Sequence, residues 1–183
     1  MSGTSPVKPD VASLAELFYP GEESLGEFSE VDSAAMPDVY RRLLAHDHHM
    51  TVTVEAHHGC PVNVRVLETR EGEADYARMI VLTRTSDDRV VQFGIVRIDW
   101  AFIADEVRRD IQARHTPLGR VLINHDVMRR IDLASLYRVQ PSEELAEMMQ
   151  LAEPSTTYGR TAVIYCDHQP AIKLLEIVTP EAE

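Results

Sequence analysis

Ile172-Lys173-Leu174-Leu175-Glu176-Ile177-Val178 is an apolar run with one acid inside it. Read as a strand, it places alternate side chains on one face, so Ile172, Leu174, Glu176 and Val178 point the same way. A carboxylate among aliphatic side chains is costly unless a cation or hydrogen-bond donors meet it. Glu176 is therefore a candidate site residue, and the rest of the chain must supply its partners.

Working outward, the strand pairs with Arg160 to Cys166 through the turn Asp167-His168-Gln169-Pro170. A second hairpin is expected from Tyr76 to Thr83 and Val90 to Ile98, joined around Ser86-Asp87-Asp88. A third is expected from Met50-Thr51-Val52-Thr53-Val54-Glu55 and Val62 to Leu67, both alternating, with His57-His58-Gly59-Cys60-Pro61 as the turn. Helical spacing appears at Pro37 to His46, at Phe102 to Ala113, from Thr116 through Met128, and after Pro141-Ser142-Glu143-Glu144. Six strands in three hairpins with grouped helices predict an α+β fold, a six-stranded antiparallel sheet with helices or flaps over one face. The expected division is an N-terminal extension over 1–35, partly disordered, and one domain over 36–180.

Composition narrows the function classes. With 44% apolar and 26% charged residues, 183 residues can build a buried core. The net charge of −12 argues against a nucleic-acid surface, which needs clustered Lys and Arg. No apolar run has the length of a membrane span and no signal-peptide pattern opens the chain, so no membrane partner and a cytoplasmic location are expected. Two lone cysteines, Cys60 and Cys166, fit reduced thiols. Neither a GxGxxG or GxxxxGKS phosphate loop nor a GxSxG elbow is present. His46, His48, His57 and His58 lack HExxH or CxxC spacing, so no metal is expected.

The second anomaly mirrors the first. Arg78 shares a strand face with Ile80 and Leu82. Two readings stand side by side: a structural Arg78–Glu176 ion pair between strands, or a pocket in which Arg78 holds a ligand carboxylate by a bidentate contact while Glu176 faces its other end.

Thr116-Pro117-Leu118-Gly119-Arg120-Val121-Leu122, then Tyr158-Gly159-Arg160, then Gln169-Pro170 ahead of the Glu176 strand, resembles the chorismate lyase family, in its divergent branch. Tyr76-x-Arg78-x-Ile80-x-Leu82, and Leu43-Leu44 leading to Met50-Thr51, fit the same order over roughly residues 36–180. The resemblance implies a cofactor-independent enzyme that converts chorismate to 4-hydroxybenzoate and pyruvate in aromatic acid biosynthesis, from a monomer or dimer. Arg78 would hold a substrate carboxylate and Glu176 would sit at the enolpyruvyl side, the two catalytic residues. Leu118, Met50 and Gly94 would line the substrate site. The interval from Pro170 to Glu176 is one residue longer than the family's, which requires a bulge or shifted register between them. The same fold also serves as the effector domain of some transcription regulators, so the alternative is a non-catalytic small aromatic or carboxylate ligand-binding domain. A winged-helix domain is not expected ahead of residue 36.

Overall fold

In the computed structural model, which describes residues 8–182, the chain runs α1 (Val11–Ala15), β1 (Gly26–Glu30), α2 (Asp38–Leu44), α3 (Met50–His58), β2 (Val62–Glu71), β3 (Asp75–Arg84) and β4 (Val90–Asp99). It continues with α4 (Asp105–Ala113), α5 (Leu118–Asn124), β5 (Arg129–Pro141), α6 (Glu143–Met148), β6 (Thr157–Cys166) and β7 (Gln169–Val178). Seven strands form one antiparallel sheet in the order β1-β5-β6-β7-β4-β3-β2. The α+β antiparallel architecture is as expected, with two strands added and one removed.

The strand removed is Met50 to Glu55, which forms the first turns of α3. Its alternation of Thr and Val favours a strand locally, but its buried residues are Met50, Thr51 and Val54. That spacing is one face of a helix. Thr53 N–H donates to the His49 carbonyl at 3.2 Å, closing the first turn. The helix stops at Gly59, φ +66°, a left-handed termination that glycine adopts without strain. Packing of the buried stripe overrides the β propensity of the valines and threonines.

The strands added are β1 and β5. In β5 the register slips between Leu133 and Ser135, a bulge that breaks the period-two signal midway. A second bulge falls in the β6–β7 hairpin. Ile164 pairs with Ile172 but Tyr165 pairs with Pro170, leaving Ala171 as the extra residue. This is the bulge that the spacing from Pro170 to Glu176 requires.

Both sheet faces are covered. On one, Tyr76, Ile80, Leu82, Val96, Ile98, Ile172 and Leu174 pack under α2, α3, α4 and α5. On the other, where no helix is expected, Met79, Val81, Phe93, Ile95, Leu175 and Ile177 pack against α1 and α6. The helices there are brief. α1 starts at Asp10, whose carboxylate accepts from Ser13 N–H at 2.7 Å, and α6 at Ser142, whose hydroxyl accepts from Leu145 N–H at 3.1 Å. Of the extension expected at 1–35, residues 11–15 and 26–30 form α1 and β1 against this body, and residues 1–7 lie outside the described residues. Cys60 and Cys166 are both free. Among the described residues no helix is long and apolar enough to cross a membrane.

Candidate functional site

The sheet register sets the site. On the face under α3 and α5, Gly94 of β4 pairs with Ile80 of β3 on one side and Glu176 of β7 on the other. Arg160 of β6 stands opposite Glu176, and Arg78 stands opposite Val96, two residues along β4 from Gly94. β3 and β7 are separated by β4, so their backbones lie about 10 Å apart. Glu176 pairs with Arg160 and Arg78 bonds to the Ile111 carbonyl, so the reading of a structural Arg78–Glu176 bridge is corrected.

Glu176 belongs to Arg160. Arg160 Nε donates to Glu176 Oε2 at 2.7 Å, with both residues buried. The rest of the guanidinium is used on the α2–α3 connection. Nη1 donates to the carbonyls of Leu44 at 3.3 Å and His46 at 2.9 Å, and Nη2 to that of His48 at 3.0 Å. One carboxylate and three carbonyls satisfy a buried charge, as burial demands. The pair fixes the segment that leads into His49, Met50 and Thr51, which roof the site.

Arg78 has no such set. It is 1% exposed, and its one side-chain hydrogen bond among the described residues runs from Nη1 to the Ile111 carbonyl at 3.3 Å, near the C-terminus of α4. Its Nε has no partner among the described residues. Burial pulls the guanidinium below the ordinary arginine pKa, against the opposing effect of the nearby Tyr76 hydroxyl, and the like charge of Arg114 adds a smaller push downward. An arginine stays protonated in such a setting, so a positive charge is held in the core without a carboxylate.

Arg78 lines a small cavity of about 40 Å³ between the sheet and the first turns of α3 and α5. Glu176, Leu118, Met50 and Gly94, the other residues expected at the site, line it too. Five buried side-chain polar atoms lack a hydrogen-bond partner among the described residues, and three of them, His49 Nε2, Arg78 Nε and Gln92 Oε1, belong to residues lining this cavity. Orphaned buried polar atoms are rare in folded proteins. Their concentration around one cavity marks it as a place where a polar ligand would complete the hydrogen bonding.

The roof is tight. A Cβ on Gly119 would stand 3.1 Å from Thr51 Oγ1 and 3.2 Å from His49 Cβ, so glycine lets α5 close on α3. A space of this size holds a few waters at most, and a ring-sized ligand requires α3 and α5 to separate. His49 is the residue shared between the cavity and an outer recess of about 600 Å³ that also carries Asp47, Val52 and Arg129. Burial pushes its imidazole down to about 4, with Arg129 and Arg160 adding like charge, so the ring between cavity and recess is neutral at neutral pH.

Sequence reasoning gave no role to Arg160, His49 or Gln92. Arg160 shares a strand face with Ala162 and Ile164, the same charged interruption that singles out Arg78, and so was findable. Gln92 alternates with Gly94 and Val96 in the same way. His49 was hidden because the helix it precedes reads as a strand.

No family model matches the chain, and no curated protein matches it. Solved structures do. The ligand-binding domain of a protein assigned to the GntR family of transcriptional regulators, from Bordetella bronchiseptica, is similar at a TM-score of 0.51 and 15% identity, over 66% of this chain and 86% of that one. The effector domain of PhnF from Mycobacterium smegmatis is similar at 0.50 and 13%, over 72% and 88%. The possible transcriptional regulator YydK from Bacillus subtilis gives 0.49 and 13% over 67% of this chain, which spans 62% of that protein's length. The fold is that of these regulator effector domains, which share the chorismate lyase-like architecture. The expectation of a chorismate lyase, with its substrate, products and pathway, is corrected on this finding: the structures similar at a TM-score of 0.50 and 0.51 are an effector domain and a ligand-binding domain of regulators.

Proposed function

We propose that this chain is a non-catalytic domain that binds a small carboxylate, aromatic or aliphatic, in the cavity beneath α3 and α5. The observation that carries the reading is Arg78, a buried guanidinium with one carbonyl contact, an orphaned Nε and no carboxylate of its own. A ligand carboxylate would supply the missing counter-charge by a two-oxygen contact, which guanidinium geometry favours. Gln92 Oε1 would accept from a donor on the ligand, and Leu118, Met50 and Gly94 would shape the pocket around it. Similarity in fold to a ligand-binding domain and an effector domain of transcriptional regulators supports a ligand-binding reading. Ligand entry then parts α3 from α5, a change a regulator could transmit.

The test is thermal and calorimetric titration with 4-hydroxybenzoate, benzoate and short aliphatic carboxylates. At a ligand concentration a hundred times Kd, binding stabilises by about 2.7 kcal/mol, readily seen as a rise in Tm. Arg78→Met should abolish the rise. If no carboxylate shifts the wild-type protein, or if the variant shifts equally, the reading fails.

A further inference from the structure

Away from the cavity, at the far end of α3, His57, His58 and Glu181 bring their ligand atoms to within 4.8 Å of one another. His57 Nε2 lies 3.2 Å from Glu181 Oε2, and His58 Nε2 lies 3.7 Å from Glu181 Oε1. The two rings are close to perpendicular, with centroids 4.8 Å apart. Zinc bonds to imidazole nitrogen and carboxylate oxygen at about 2.0–2.2 Å, so tetrahedral ligand atoms sit about 3.4 Å apart. The two imidazole-to-carboxylate separations are within a few tenths of an ångström of that, and the three ligand atoms all lie within 4.8 Å of one another.

We infer that His57, His58 and Glu181 form a site for a divalent transition metal ion of the zinc type, with an open coordination position. Two imidazoles and one carboxylate are the donor set that zinc takes when a fourth position is left to water or an added ligand. The backbone that carries the carboxylate is anchored: Glu181 N–H donates to the Tyr40 hydroxyl at 2.9 Å, and Thr179 N–H donates to the Val91 carbonyl at 3.1 Å. His58 and Glu181 open onto a recess of about 210 Å³ lined also by Arg84, Arg89 and Gln150, which leaves room for the fourth ligand. Of the two arginines lining the recess, Arg84 is paired with the Asp87 carboxylate through two hydrogen bonds. A bound ion would tie the chain just past β7 to the end of α3, the helix whose other end roofs the cavity.

Metal-free protein is titrated with Zn²⁺ by calorimetry, and with Co²⁺ by visible absorption. The expected result is one ion per chain, a rise in Tm, and the intense visible bands of low-symmetry four-coordinate Co²⁺. Glu181→Gln should weaken binding at least about tenfold. His57→Gln, at a partly exposed position that leaves the core untouched, should do the same with an unchanged circular dichroism spectrum. Absence of binding at submillimolar Zn²⁺ overturns the site. So does binding that survives both substitutions, which would place the ion on other histidines. Carboxylate titration of the metal-free protein is independent of either result, so the two sites stand or fall separately.

Discussion

Two buried arginines on one sheet face behave oppositely because one has a carboxylate and the other does not. Arg160 is matched by Glu176 and three carbonyls, whereas Arg78 has one carbonyl. Arg78→Met, which keeps length and removes an unmatched charge, should raise the stability of the ligand-free protein by about 1–3 kcal/mol while abolishing carboxylate binding. Glu176→Gln should lower it by about 3 kcal/mol, because Arg160 is left without its counter-charge. Urea unfolding at constant m resolves both signs, and a destabilised Arg78→Met would show that the guanidinium is a structural post. His49 adds a pH signature. Its folded pKa is about 4 against an ordinary 6.5, so between those values the unfolded chain binds more protons. Stability is therefore full above pH 6.5 and falls as pH drops toward 4, by about 3 kcal/mol from this residue. Burial also lowers His46 and His58, in the same direction, so the comparison that isolates His49 is His49→Gln, whose profile should be flatter over that window.

At the scale of elements, the roof is where the sequence was hardest to read and where the function is expected to act. The central strands were legible because they are buried on both faces and read as apolar runs with isolated exceptions. Those exceptions, Arg78, Gly94 and Glu176, do come to one cavity with Leu118 and Met50. The pairing inferred from them was not legible, since strand order is a non-local property and β4 intervenes between β3 and β7. The start of α3 was misread because Thr and Val alternate there, while the burial that makes it a helix comes from the sheet and α5. β5 was missed because its bulge interrupts the alternation. The contact that closes the roof depends on Gly119, where an added Cβ would sit 3.1 Å from Thr51 Oγ1 and 3.2 Å from His49 Cβ. Gly119→Ala should push α5 from α3 by a few tenths of an ångström, costing about 1 kcal/mol of stability. It should also increase amide exchange in the first turn of α3, measured by hydrogen–deuterium exchange. Unchanged exchange there would mean that the two helices are not coupled through this contact.

For the whole molecule, the sheet is a partition with a different task on each side. The face under α2 to α5 carries the buried charges, the cavity and four of the five buried polar atoms without partners among the described residues; Thr161 Oγ1, on the other face, is the fifth. The opposite face is apolar, and α1 and α6 close it with side chains such as Leu14, Leu145 and Met149, each at most 1% exposed. α1 is only five residues long and cannot persist alone, so its order derives from docking. Leu14 lies in the stretch whose sequence reads as an extension, yet it is 1% exposed against β4 and β7. Leu14→Ala should therefore cost about 3 kcal/mol, the loss typical of a core leucine. A leucine in a dispensable extension would cost almost nothing. The two outcomes are well separated in a urea titration. Because the mutation lies across the sheet from Arg78, the affinity for a carboxylate should stay at its wild-type value while the unfolding midpoint falls.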